Sequence, residues 1–382
     1  MRRTPGAARR AGWAAAVIIA VMPSVMAADR LSELWSVCNS DNAPDQKIAA
    51  CTAIIETRGV SQKDRSTAYG NRGAGYASKN DMERALKDYD QSVKLDPTSA
   101  GSYVVRGNAH RRRHEFDQAI ADYNQALTLD PKRAQAFVGL GNVYNDQKEY
   151  DRALAEYDQA IRINPQYGLA YNNRGNAYQG KHEYDRAIVD YDQAIRLEAT
   201  NAGAYDNRGD TYKAKGELDR AIADYSEAIR LDVRNPVYYD DRATAYEAKK
   251  NYERAIADFS EAIRLNPNNA NYFNSRCWDG ALLGRDLPQA LGDCNESLRL
   301  RPDDGSTLNS RGLVQFKLGD FDKAIADYDA AVKLREKDAG SLYARGVAKR
   351  RKGDTAAGDG DIAAAKAIKA DIAEIYAGYG VD

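Results

Sequence analysis

Residues 168–201 read GLAYNNRGNAYQGKHEYDRAIVDYDQAIRLEATN, and this stretch decides the fold. Tyr171, Gly175 and Tyr178 are spaced by four and three, as are Ala187, Tyr191 and Ala194. These are helical intervals, which bring small and aromatic side chains onto one stripe of each helix. The polar run Gly180–Glu183 separates the two stripes. The stretch therefore predicts a helix, a turn and a second helix.

The unit recurs along the chain. Gly73, Gly107, Gly141, Gly175 and Gly209 follow one another at intervals of 34, and Ala243 and Cys277 continue the series. Gly312 comes 35 residues later and Gly346 another 34. Asp96-Pro97, Asp130-Pro131, Asn164-Pro165 and Asn266-Pro267 end the second helix of their units, because proline cannot continue it.

A small anchor, then Tyr, Ala, an aromatic, Ala and Pro, in that order and at that period, resembles the tetratricopeptide repeat. The resemblance implies an all-α fold, a right-handed α-solenoid of helix-turn-helix hairpins with capping helices at both ends. Residues 66–338 hold eight copies, and residues 339–382 a degenerate ninth with a capping helix. One departure is systematic: the family often has an apolar residue just before the anchor, and here it is Arg.

That Arg row is Arg72, Arg106, Arg174, Arg208, Arg242, Arg276, Arg311 and Arg345, and only Leu140 interrupts it. Sixteen residues on, the second helices carry Asp88, Asp122, Asp190, Asp224, Asp258 and Asp327, with Glu156, and Asp293 at seventeen, completing the set. Cations and acids repeated in step predict an ion pair within each hairpin, or between neighbouring hairpins; ligand binding is the alternative. Such pairs fix geometry more reliably than they add stability. Tyr is abundant at 25 against 6 Phe, and Tyr89, Tyr123, Tyr157, Tyr191 and Tyr225 share one position, ring inside and hydroxyl at an edge.

Both ends depart from the repeat. Residues 28–65 are expected to form an N-terminal capping hairpin, its core supplied by Trp35, Ile48, Ile54 and Ile55. At the other end, Asp361–Tyr376 is expected as one amphipathic helix with Ile362, Ala365, Ile372 and Ile375 inward. Stacked repeats need polar-faced caps of this kind for solubility.

Residues 1–27 have the layout of a secretory signal: Arg2, Arg3, Arg9 and Arg10, an apolar run from Ala11 to Met22, then small residues before a cut expected at Ala28. The run is too short to span a bilayer comfortably, so the mature chain has no expected transmembrane segment, although an uncleaved anchor is the alternative. Removing four Arg leaves 51 basic and 56 acidic residues, a net charge of about −5 that favours solubility. The expected location is periplasmic or secreted. Four cysteines suit an oxidising compartment, and of the three pairings their spacing favours Cys38–Cys51 and Cys277–Cys294. Each bridge would clip the two helices of one hairpin. The alternative is four buried thiols.

The balance of charge excludes a dedicated nucleic-acid binder, which draws affinity from excess Lys and Arg. His110 and His114 are four apart on an expected helix, but Arg111, Arg112 and Arg113 lie between them and repel a metal cation. His182 sits alone in a turn. Asp354, Asp359 and Asp361 lack the ordered alternation of a calcium loop and read as a polar loop. With no phosphate loop and no nucleophile set, neither catalysis nor a cofactor is expected.

The resemblance implies that the first helices line a concave ligand groove. In that frame the inward polar residues are Asn108, Arg111 and Arg112, then Asn142 and Asn145, then Asn172, Asn176 and Gln179. Asp206, Asp210, Lys213, Asp240 and Glu247 follow. The groove is thus expected to grade from basic through amide-rich to acidic. Amides can bond a peptide backbone irrespective of its sequence, and graded charge would orient it. The alternative is that these are solvated residues of a repeat consensus. The family's carboxylate-gripping groove needs Lys where this chain has Gly70 and Val104. The expected function is a non-catalytic scaffold for a protein or peptide partner. A polysaccharide or small-ligand binder of the envelope, or an accessory subunit of an enzyme complex, is the alternative.

Overall fold

The structure, a computed structural model, describes residues 29–40 and 43–382. The expected signal and its cleavage point lie outside the described residues. Every regular element among the described residues is an α-helix. They fall into two compact units divided between Lys181 and His182.

The first unit opens with α1 (29–39) and α2 (Pro44–Glu56), which close on each other as a short hairpin. Full hairpins follow: α3 (Gln62–Ser78) with α4 (Met82–Leu95), α5 (Ala100–Arg112) with α6 (Phe116–Leu129), and α7 (Ala134–Asp146) with α8 (Tyr150–Ile163). The unit ends with α9 (Gly168–Gly180). The second unit starts with α10 (Tyr184–Leu197). Its hairpins are α11 (Ala202–Ala214) with α12 (Leu218–Leu231), α13 (Pro236–Ala248) with α14 (Tyr252–Leu265), and α15 (Ala270–Leu283) with α16 (Leu287–Leu300). Then come α17 (Gly305–Lys317) with α18 (Phe321–Leu334), α19 (Ala339–Arg351) with α20 (Thr355–Ile368), and the short α21 (Ile372–Ala377).

One turn recurs between the two helices of a hairpin. Asn80, His114 and Lys148 in the first unit, and Lys250, Gly216 and Gly319 in the second, have positive φ. The amide three residues beyond the helix reaches back across the last turn, as in Glu115 N to His110 O at 3.0 Å and Glu149 N to Tyr144 O at 2.8 Å. This satisfies a terminal carbonyl and reverses the chain in three residues. His114 is therefore not helical, contrary to the expectation, because α5 ends at Arg112. The second helices end differently. Asp130 and Asn164 turn their carbonyl-bearing side chains onto the amides of Lys132 and Gln166, both at 3.1 Å, and the proline between prevents further helix.

Packing explains the anchor series. Tyr123 and Tyr157 are fully buried, and their rings lie against Gly107 and Gly141 of their own hairpins. A Cβ on either glycine would stand 2.8 Å and 2.5 Å from the ring, closer than side chains tolerate. In the second unit Tyr225 on Gly209 and Tyr328 on Gly312 repeat the contact. Where the anchor is Ala243 the ring is Phe259, and where it is Cys277 the partner is Cys294, bonded to it. Cys38 and Cys51 are bonded likewise between α1 and α2. The two disulfides are those the spacing favours, and each clips one hairpin.

The Arg row makes both kinds of pair foreseen for it. Arg106 grips Asp122 of its own hairpin through Nε at 2.9 Å and Nη2 at 2.6 Å, while Nη1 reaches Asp90 of the preceding hairpin at 2.9 Å. Arg72 holds Asp88 in the same two-pronged way and extends to Thr52 on α2. In the second unit Arg208, Arg311 and Arg345 repeat the pattern with Asp224 and Asp192, Asp327 and Asn295, and Asp361 and Asp329. Each guanidinium thus rivets one hairpin to the one before, a job that suits its planar fork. At the break in the row, Leu140 is buried, and Glu156 lies half-buried with its carboxyl raised by that burial.

The C-terminal cap differs from the expectation. Residues 361–376 are not one helix: α20 stops at Ile368, Lys369 is extended, and α21 turns back against α19. A straight continuation would carry Ile372 and Tyr376 beyond α19 into water. Folding back buries both and sets the Tyr376 ring 5.6 Å from that of Tyr343. The stretch with Asp354, Asp359 and Asp361 is helical too, not a loop. Asp354 caps α20, while Asp359 pairs with Arg350 and Asp361 with Arg345 and Lys349.

Candidate binding faces

In the first unit α5, α7 and α9 stand side by side and share one polar face. Asn108 accepts from the Tyr123 hydroxyl at 2.8 Å, and Asn142 accepts from Tyr157 at 2.7 Å and from the Asn173 amide at 2.8 Å. Arg111 crosses from α5 to Asp146 on α7 at 2.7 Å. Arg112 is exposed. Asn145 is half-buried with a buried, unpartnered Oδ1. Asn172, Asn176 and Gln179 are half-buried along one stripe of α9. The structure thus gathers all the residues named for this unit onto neighbouring first helices. It also shows that part of their hydrogen-bonding capacity holds the tyrosine row in place.

The corresponding face of the second unit is acidic. Asp210 accepts from the Tyr225 hydroxyl at 2.7 Å, and Lys213 lies between Asp210 at 3.3 Å and Asp241 at 3.5 Å while donating to Thr244. Asp206 has a buried, unpartnered Oδ1; burial, then Asp241 and Asp210, push it up to about 8. Burial and Asp210 likewise raise Asp241 to about 6, and burial raises Asp240 and Glu247. One ammonium cannot neutralise this many carboxylates, so the field of the face is negative.

Sequence reasoning missed Asp241 on this face and the fully buried Asp279 next to Glu247. It also missed Trp278, which walls two neighbouring cavities. One, about 790 Å³, lies under α21 with Tyr376, Tyr379, Ile372 and Ile375; the other, about 300 Å³, includes Glu247, Asn274 and Asn309. The pair of histidines does not come together as a ligand set. His110 Nδ1 is 2.7 Å from Glu115, and His114 packs edge-on against Phe116. Among the described residues, no helix is long and apolar enough to cross a membrane.

Tetratricopeptide repeat profiles match residues 66–99, 104–168, 168–201, 241–269 and 306–338, and a TPR repeat profile matches 209–250. The chain belongs to the tetratricopeptide repeat family. Solved structures of similar fold include that of pilF from Pseudomonas aeruginosa, at 19% identity and a TM-score of 0.47, covering 55% of this chain and 96% of that one. A tetratricopeptide repeat protein from Parabacteroides merdae matches at 19% identity and 0.47, over 65% of this chain and 98% of its own. A chain of the APC/C Cut9–Hcn1 hetero-tetramer matches at 15% and 0.49, over 85% and 78%. No curated protein matches the sequence.

Proposed function

We propose that this tetratricopeptide array is a non-catalytic scaffold of the cell envelope that holds a protein or peptide segment on the first-helix faces of its units. The observation that carries this reading is the set of buried acceptors left without donors on those faces: Asn145 Oδ1, Asp206 Oδ1 and Asn274 Oδ1. An unmet buried acceptor is costly, and a peptide backbone or side chain brings the missing donor. Export is supported by the signal-like layout of residues 1–27 and by two disulfides, which persist in oxidising compartments. A sugar-binding reading would use the tyrosine hydroxyls and asparagines of the same face. Those of Tyr123 and Tyr157 are already spent on Asn108 and Asn142.

The test is gentle crosslinking of the full chain in its host, with capture from the envelope fraction. A parallel sample carries Arg111→Glu, Arg112→Glu, Asn142→Ala and Asn176→Ala. One dominant protein lost with the substitutions supports the scaffold reading. A partner retained on the substituted chain removes the face from consideration, and an unprocessed chain in the cytoplasm removes the envelope.

A further inference from the structure

Asp279 stands at a place that the repeat otherwise keeps small or apolar. Two residues past the anchor, the neighbouring hairpins of its unit carry Thr211, Ala245, Val314 and Ala348, all fully buried. Asp279 is equally buried, and neither of its carboxylate oxygens meets a hydrogen-bond donor. Its polar neighbour is the carboxyl of Glu247, across from it on α13. Two carboxyl groups so placed can bond to each other only when one carries a proton. Burial, then the Glu247 charge, accordingly push Asp279 up to about 9. The other groups facing this pair are Asp240 on α13, which adds negative charge beside Glu247, and Tyr252 on α14. An acid in a core column costs stability, and such local violations concentrate where a chain does its work.

Glu247 also walls the cavity of about 300 Å³ between α13, α15 and α17. Trp278 forms a second wall, and Asn274, with its buried unpartnered Oδ1, a third. Arg335 closes one end, but its charge is already met by Asp338. Besides the hydroxyls of Ser275, Ser306 and Ser310 and the amide of Asn309, the lining offers a carboxylate, an amide oxygen and an indole. That set suits a planar cation with several donors, which bonds at its edge and stacks on its face. The volume, at the lower end of the range for small-ligand pockets, has room for an arginine side chain.

We infer that this cavity is a socket for the guanidinium of an arginine side chain on a bound peptide, with Glu247 as counter-ion, Asn274 as second acceptor and Trp278 as stacking wall. Asp279 is a positioning residue: it holds a proton against Glu247 in the free chain and gives it up to solvent when the guanidinium arrives and both carboxylates ionise. The inference rests on the peptide-binding reading above and goes beyond it by naming the side chain and its place.

The test is calorimetric titration of the full mature chain at pH 7 with the capped peptide Asn-Gly-Arg-Gly-Asn and its neutral citrulline counterpart. Each is run in two buffers of different ionisation enthalpy. The arginine peptide is expected to bind at least about tenfold more tightly. Its binding should release close to one proton, at most, into the buffer. E247Q should abolish the preference. D279A, which restores the repeat's own residue and so keeps the fold, should retain the preference and lose the proton release. Equal binding of the two peptides, or a preference that survives E247Q, overturns the socket and leaves the scaffold reading standing. Binding of neither peptide also overturns the socket. If a displayed random peptide library then selects nothing either, the scaffold reading fails with it.

Discussion

Tyr123 lies so close to Gly107 that a Cβ built on the glycine would stand 2.8 Å from the ring's Cε1. The contact joins the two helices of one hairpin and recurs at Tyr157 on Gly141 and Tyr225 on Gly209. Gly107→Ala must therefore displace a wholly buried ring, and it should cost about 1–3 kcal/mol by overpacking. Gly292, inside α16, has nothing within 4 Å of its would-be Cβ. There the same substitution should stabilise by about 0.5–1 kcal/mol through helix propensity alone. Urea unfolding of the two variants checks the pair. Shifts of the same sign would remove the packing account of the anchor series.

Arg106→Met should be costly for a different reason. It leaves Asp122, which is 5% exposed, without its two-pronged partner and removes the link to Asp90. Breaking a buried pair from one side costs about 3 kcal/mol. Adding Asp122→Asn should recover at least half of that, because the stranded charge goes with it. The buried Leu140 beside Glu156 shows that one hairpin already does without the rivet. A double-mutant cycle measures the recovery, and an arginine variant as stable as the parent would demote the row to surface decoration.

Acid pH should stabilise the second unit. Asp279, at about 9, and Asp206, at about 8, keep their protons when folded, whereas aspartate in the unfolded chain ionises near 4. The folded chain thus binds more protons between about pH 4 and pH 9, and stability falls as pH rises through that window. Thermal unfolding from pH 5.5 to 8.5 should show a declining midpoint, with a flatter profile in Asp279→Ala. A midpoint that stays flat or rises over the same range would mean that these carboxylates ionise in the fold.

The Cys277–Cys294 bond occupies the place where the next hairpin puts Gly312 against Tyr328 and the preceding one Ala243 with Phe259. Bond and ring contact are alternative ways to fasten the same helices. Replacing both cysteines with alanine should lower stability by about 3 kcal/mol, the loop-closure value for this spacing. Cys277→Gly with Cys294→Tyr should return a substantial part of the loss. Denaturant midpoints of the three forms decide it, and a Gly–Tyr variant no better than the double alanine would break the equivalence.

What the sequence made legible was whatever the chain repeats. The period, the paired helices, the arginine row and the buried tyrosines each recur many times, so each physical constraint is written over and over. What it hid were departures confined to one copy. Asp279 reads as an ordinary polar residue until it is set beside Ala109, Ala177 and Ala245, which share its column. His114 reads as helical because it is four residues from His110, yet it falls at the turn position that Asn80 and Lys148 also occupy. The final helix misled for a related reason. Ile362, Ala365, Ile372 and Ile375 keep helical spacing across Lys369, and a break of three residues does not disturb it. The polar faces lie between these cases: the spacing placed their residues on the first helices, but not the tyrosine hydroxyls that several of them serve.

That recurring turn yields a prediction of opposite sign at two equivalent positions. Lys148 and Gly216 both close a hairpin with φ near +62° and +78°, and both are exposed. A side chain in the left-handed region costs about 1–2 kcal/mol, which the fold bears at Lys148 and avoids at Gly216. Lys148→Gly should therefore stabilise by about 0.5–1 kcal/mol, the relief being partly offset by the larger freedom of glycine in the unfolded chain. Gly216→Ala should lose about 1 kcal/mol. Its Cβ would meet nothing within 4 Å, so backbone strain alone is responsible. Urea midpoints at unchanged m-value would measure both. If Lys148→Gly were instead destabilising, the lysine side chain would have to contribute a contact worth more than the strain it imposes.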